Sequence, residues 1–303
     1  MMKRMLLVVL ALALLTLPAA AEDYAVKVSS PNGAPGIALA TLAVEAPEQY
    51  TYVAAEAITA EFAAANADFI IAPVNAGAKL YKAGKSGYRL AAVVTWGNLY
   101  FASQKEGFTP EAMNGADITL FGENTINAAV ALYALEQNGI VPASVSYLAG
   151  AANTQSLLLT DENAIVLTAE PALTAASMKN DKITAFALND LYEKATGFNG
   201  YAQAGLFVNP ATIENHPEAV ESYLKLAQQA VALCETDVSA VAQAAVTLEI
   251  LPNVKVAEKA IPNCALRFVG AAEAKEQIER TAEIDLSQFG GALPADDFYY
   301  AAP

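Results

Sequence analysis

The segment DFIIAPVNAGAKLYKAGKSGYRLAAVVTWGNLYFAS, Asp68 to Ser103, decides how the chain is read. Asp68 to Ala72 is a short apolar run with the look of a buried strand. Pro73-Val74-Asn75 turns the chain, and Asn75 is placed to cap a helix that begins near Ala76. Tyr88 to Thr95 is a second apolar run, and Leu99 to Ser103 continues it past Trp96-Gly97-Asn98. Trp96 is the single tryptophan of the 303 residues. Strand, turn, helix and strand in this order form one unit of an α/β layer.

The same joint recurs on both sides. Ala25 to Ser29 reads as a strand broken by Ser30-Pro31-Asn32-Gly33-Ala34-Pro35, and Gly36 to Val44 as a helix of small residues. Tyr50 to Ala54 and Ile58 to Ala65 read as a strand and a helix. Asp117 to Phe121 leads into Gly122-Glu123-Asn124-Thr125, after which Ile126, Ala129, Val130 and Tyr133 mark one apolar helical face. Ala164 to Thr168 runs into Thr168-Ala169-Glu170-Pro171, with Pro171 suited to a first helical position. Gly200 to Val208, GYAQAGLFV, reads as a return crossing into the first block, followed by a long amphipathic helix over Glu218 to Thr236.

These elements predict an α/β fold in two lobes, with mostly parallel sheets. The expected division is a signal peptide at 1–21, lobe 1 at 22–103 and 201–303, and lobe 2 at 104–200. A length of 303 residues suits two lobes, and 55% hydrophobic residues supply a core.

Lys3 and Arg4, the apolar run from Met5 to Leu17 and Ala19-Ala20-Ala21 form a basic start, a hydrophobic stretch and a small-residue cleavage site, so the mature chain is expected to start at Glu22. The apolar run is shorter than the ~20 residues of a membrane span. The sequence thus predicts an exported monomer, periplasmic or extracellular, with no membrane span of its own. The net charge is −15, from 17 basic and 32 acidic residues. Such a surface repels nucleic acid and anionic membranes. Export permits a disulfide between Cys234 and Cys264. Cys234 equally fits a buried thiol on the stripe of Val220, Tyr223, Leu224, Ala227 and Val231. With His216 as the single histidine and no close Cys/His cluster, neither a metal site nor a cofactor is expected.

In open α/β sheets, ligands bind beyond the carboxyl ends of the strands, where helix starts offer unpaired N–H groups. The turns that fall there give the candidate ligand-binding residues: Asn32, Gly33, Asn75, Trp96, Asn98, Glu123, Asn124, Thr125 and Glu170, with Tyr201 and Gln203 on the return strand. Each has a structural reading too. Trp96 fits the core at the lobe junction, Glu123 and Glu170 fit helix-start acids, and Tyr201 fits hinge packing. No cysteine or histidine lies in these turns to act as nucleophile or base, and His216 sits in a capping context before Pro217. A catalytic reading would rest on Glu123 and Glu170 alone.

PNGAPGIALA (Pro31–Ala40), DFIIAPVNAGAKLYKAG (Asp68–Gly84), LAAVVTWGNLYFAS (Leu90–Ser103), AEKAIPNC (Ala257–Cys264) and GGALPADDFYY (Gly290–Tyr300) together resemble the solute-binding proteins of ABC importers. The resemblance is to the group with the type II periplasmic-binding fold that includes thiamine-precursor, nitrate and alkanesulfonate binders. It implies two lobes joined by a hinge of two crossing strands, a cleft between them that closes on a small-molecule ligand, and delivery to an ABC permease. No Walker-type loop is present, so ATP would be used by the partner ATPase. None of the candidate turns carries Arg or Lys, whereas anions often need such a partner. Amides with Trp96, Tyr100 and Tyr201 suit a neutral or weakly cationic heteroaromatic, with an aminopyrimidine thiamine precursor as the leading example. The alternatives are a sulfonate or nitrate binder, a pyrimidine-forming or decarboxylating enzyme on the same fold, and the ligand-sensing part of a signalling system.

Overall fold

The structure is a computed structural model and describes residues 24–301. The expected signal peptide lies outside the described residues. Among the described residues, eleven strands form two sheets. The strands are β1 (Val28–Pro31), β2 (Tyr50–Val53), β3 (Phe69–Pro73), β4 (Arg89–Thr95), β5 (Leu99–Ser103), β6 (Asp117–Phe121), β7 (Ser144–Leu148), β8 (Ile165–Ala169), β9 (Thr184–Ala187), β10 (Ala204–Val208) and β11 (Leu266–Gly270). The first sheet has the order β11-β4-β10-β3-β1-β2, and the second β7-β6-β8-β5-β9.

Pairing is parallel among β1, β2 and β3 and among β6, β7 and β8, where each strand is followed by a covering helix. It is antiparallel in the other five pairs, of β10 with β3 and β4, of β11 with β4, and of β5 with β8 and β9. β10 runs antiparallel between β3 and β4, so that Ala204 lies opposite both Pro73 and Thr95. β5 pairs antiparallel with β8 and β9.

Leu99–Ser103, expected to close the first block, is therefore a strand of the second sheet. The long apolar run is two strands in two sheets, parted by Trp96-Gly97-Asn98. Gly97 makes the bend with φ +79°, a conformation that favours glycine. Side-chain polarity carries no mark of this change, because both strands are buried on both faces. The start of the helix after β3 also differs from expectation. That helix is Val74–Lys82 with Pro73 at its cap, so Asn75 stands inside the first turn rather than capping it.

One apolar core runs continuously through both sheets, from Ile70, Leu90 and Phe207 past Trp96 and Tyr201 to Phe101, Ile118 and Leu167. The other face of the first sheet is covered by Val220, Tyr223, Ala227 and Val231 of the helix Pro217–Thr236, whose apolar stripe is legible in the sequence. Cys234 and Cys264 are both free thiols buried in one small cluster with Ala34 and Ile37.

Candidate ligand site at the strand ends

β1, β3 and β4 run parallel and end at the junction of the two sheets, beside the start of β10. Three residues, Trp96 to Asn98, separate the end of β4 from the first strand of the second sheet. A chain of hydrogen bonds crosses this junction. Val74 N–H donates to the Gln203 carbonyl (3.1 Å), and Gln203 N–H donates to the Thr95 carbonyl (3.0 Å). Asn98 N–H donates to Gln203 Oε1 (3.2 Å), and Asn98 Nδ2 donates to the Glu170 carbonyl (2.7 Å). Glu170 N–H donates back to the Asn98 carbonyl (3.0 Å). The turn after β3, both crossing strands and the turn after β8 are thus held in register.

Asn98, Glu170 and Gln203 are accordingly brought together, but their side chains are engaged with one another or with the backbone. The Glu170 carboxylate accepts from Thr174 N–H (3.1 Å) and from Thr174 Oγ1 (2.8 Å). Burial raises its pKa above the ordinary carboxylate value, and the two Thr174 bonds hold it partly back. With Tyr100, Thr174 and Lys259 it lines a hollow of about 500 Å³.

Trp96 is 2% exposed, so it is a core residue at the hinge rather than an open ligand wall. Its indole N–H donates to the Arg267 carbonyl (2.9 Å), and the Arg267 guanidinium lies 4.6 Å above its ring. Tyr201 is also fully buried. Its hydroxyl donates to Asn127 Oδ1 (2.7 Å) on the helix Ile126–Gln137, and burial pushes its phenol well above the ordinary range. Thr125 caps that helix, accepting from Ala128 N–H and donating to the Gly122 carbonyl. Glu123 and Asn124 are exposed on the same turn, where Gln288 from the C-terminal segment donates to the Asn124 carbonyl (2.9 Å). Asn32 is exposed at the end of β1, with its N–H on the Val53 carbonyl, and Gly33 follows with φ +98°.

Asn75 is different. Its Oδ1 is buried without a hydrogen-bond partner, and so is Thr95 Oγ1. Asn75 stands in the first helical turn after β3 and Thr95 ends β4, the two strands that flank Ala204 from opposite sides. Buried polar atoms are seldom left unpaired, and those that are commonly mark a site of use. Thr95 escapes a reading of the sequence because it sits within an apolar strand and not in a turn.

Asn189 is a second residue that turn chemistry does not find. It lies at the start of the helix Leu188–Thr196, and its Nδ2 donates to the carbonyls of Trp96 (2.9 Å) and Gly97 (2.8 Å). The other strand is pressed against this point. A Cβ on Gly200 would collide with the Trp96 carbonyl, and one on Gly97 would come within 2.6 Å of the Tyr201 ring. The two crossings are in backbone contact, clamped by one amide.

Comparison with known proteins agrees with this architecture. The sequence profile described as NMT1/THI5 like matches residues 56–237. Among curated proteins no match is found. The structure of an ABC transporter from Parabacteroides distasonis superposes with a TM-score of 0.79 at 20% identity, over 92% of this chain and 99% of that one. The periplasmic aliphatic sulphonate binding protein SsuA from Escherichia coli gives 0.68 at 14% identity, covering 92% of each chain. The alkanesulfonate-binding protein SsuA from Xanthomonas axonopodis pv. citri, bound to MOPS, gives 0.63 at 15% identity, over 91% of this chain and 99% of that one. By the profile that spans most of its length, and with the two-sheet type II periplasmic-binding fold to match, the chain belongs to the NMT1/THI5-like family.

Proposed function

We propose that the protein is the solute-binding component of an ABC import system. It is a binder rather than an enzyme, exported by its leader and soluble outside the cytoplasmic membrane. It takes up one small molecule between its two lobes and presents the closed form to a permease driven by a separate ATPase. The family match, joined to the likeness to solved ABC-import components over nine-tenths of the chain, carries this reading. The lobes are residues 24–98 with 201–301, and residues 99–200, with Trp96 to Asn98 and Gly200 to Gln203 as the hinge.

The solute site lies at the ends of β1, β3, β6 and β8, with Asn32, Gly33, Asn75 and Thr95 on one side and Glu123, Asn124 and Thr125 on the other. Asn75 Oδ1 can only accept a hydrogen bond, so it calls for an N–H or O–H on the solute. Because Glu170 is already spent on Thr174, the site favours a neutral ligand over a cation. A planar heterocycle rich in N–H groups, such as an aminopyrimidine thiamine precursor, fits this demand. A sulfonate is the second reading, favoured by the two superposed SsuA proteins. A thermal-shift screen of the mature chain against hydroxymethyl-aminopyrimidine, nucleobases, taurine and nitrate tests it, because a ligand of the folded state must raise the midpoint. A selective rise with the heterocycle supports the first reading, and a rise with taurine alone replaces it by the second.

A further inference from the structure

A separate hollow of about 640 Å³ opens at the β11 edge of the first sheet, on the far side of β4 from β10, β3 and β1. Trp96 and Asn189, which meet where the two strands cross, both line it. Its walls come from three places. Gln228, Val231 and Glu235 belong to the long helix Pro217–Thr236, Leu266 to Phe268 are strand β11, and Asn189 and Asn199 belong to the second-lobe side of the hinge.

Two charges of opposite sign line this hollow. The Arg267 guanidinium is stacked on Trp96 and donates one N–H to the Asn199 carbonyl (3.4 Å). It forms no ion pair among the described residues, and burial lowers its pKa from the ordinary arginine value, against the opposing pull of the Glu273 carboxylate. Glu235 lines the same hollow and likewise makes no ion pair there. A guanidinium and a carboxylate that face one hollow without meeting each other suit a ligand carrying both complementary charges. Stacking on an indole holds the guanidinium plane, and the N–H groups not directed at Asn199 can meet a carboxylate. Val231, Ile261, Leu266 and Phe268 offer an apolar wall between the charges, and the volume falls in the range of small-molecule pockets.

We propose that this hollow is a second ligand site, for a small zwitterion with an apolar body, an apolar amino acid, whose carboxylate meets Arg267 and whose ammonium meets Glu235. The site spans the hinge, so its occupancy is sensed at Trp96 whichever solute fills the strand-end cleft.

Trp96 gives the single indole N–H resonance of the chain, which makes the test direct. Leucine and phenylalanine are titrated at millimolar concentrations, beside 4-methylpentanoate and isoamylamine, which lack the ammonium and the carboxylate respectively. Saturable movement of the Trp96 indole resonance is expected with leucine or phenylalanine, and at least about tenfold weaker binding for each one-charge analogue. Arg267→Gln and Glu235→Gln should each weaken the amino acid by about tenfold or more, while Asn75→Ala leaves it unchanged. Glu235 is exposed, so its variant remains informative should Arg267→Gln fold poorly. The proposal is overturned by no saturable movement, by equal affinity for 4-methylpentanoate, or by unaltered binding in Glu235→Gln. Loss of the response in Asn75→Ala would overturn it as well, since the amino acid would then be the solute of the cleft itself.

Discussion

Asn98 and Glu170 hydrogen-bond each other twice, Asn98 Nδ2 to the Glu170 carbonyl at 2.7 Å and Glu170 N–H to the Asn98 carbonyl at 3.0 Å. The pair joins the first crossing strand to the turn after β8. Asn98→Ala removes the side-chain bond and leaves a buried carbonyl unpaired, which should lower stability by about 1–3 kcal/mol. Urea denaturation measures it, and an unchanged midpoint would show that the junction is held by the backbone alone.

Gly97 is expected to tolerate no side chain. Its φ of +79° already strains an L-residue, and a Cβ would stand 2.5 Å from Asn189 Oδ1. Gly97→Ala should cost at least about 2 kcal/mol. It should also change lobe closure, read as the difference in radius of gyration with and without solute. A variant with wild-type stability and scattering would contradict the clamp.

Thr95→Val separates stability from binding. The valine keeps the shape and removes a buried hydroxyl that has no partner, so the free protein should gain about 1 kcal/mol. Solute affinity, measured by calorimetry, should fall about tenfold where Thr95 serves the ligand. A variant that is more stable and binds equally well would take Thr95 out of the site.

The pH dependence of Glu170 follows from its burial, which raises the folded pKa above the unfolded value. The folded state then binds the proton more tightly than the unfolded chain. Stability falls as pH rises through the window from the ordinary carboxylate value up to the raised one, and the loss is complete above it. Glu170→Gln removes this loss. Its melting temperature relative to wild type should therefore climb as the pH rises above the ordinary carboxylate value of about 4, and a difference that stays constant with pH would refute the burial argument.

Burial pushes the Cys234 thiol up to about 12 and that of Cys264 well above its ordinary range. Thiolate is the reactive form. Neither cysteine should be alkylated by iodoacetamide in the native protein near pH 8, and both should react in denaturant. Rapid native labelling of Cys234 would mean that the helix Pro217–Thr236 opens locally.

Strands such as Asp68–Ala72 and Asp117–Phe121 announce themselves by apolar runs between turn residues, and the helix Pro217–Thr236 by its stripe. Those signals are local, so the α/β layering is readable from the chain. The sheet to which Leu99–Ser103 belongs is not, because pairing partners far away in sequence decide it. The same holds for the site. Turn residues identify the end of the sheet where a ligand would sit, but only the folded molecule shows that Asn98, Gln203 and Glu170 satisfy one another. Asn189 acts at the hinge from a helix signalled by Leu188, Leu191, Tyr192 and Gly197, a pattern easily passed over between two stronger elements.

The placement of β10 has a consequence in time. β3 and β4 follow one another along the chain, yet they are separated in space by a strand that begins 109 residues after β4 ends, at Ala204 beyond Thr95. The second sheet needs only residues 99–187. The first sheet cannot close its middle until residue 208 has arrived, so the nascent chain completes its second half-molecule before its first. Such long-range pairing is slow to form, so the first sheet stays open at its middle while the second sheet is already complete.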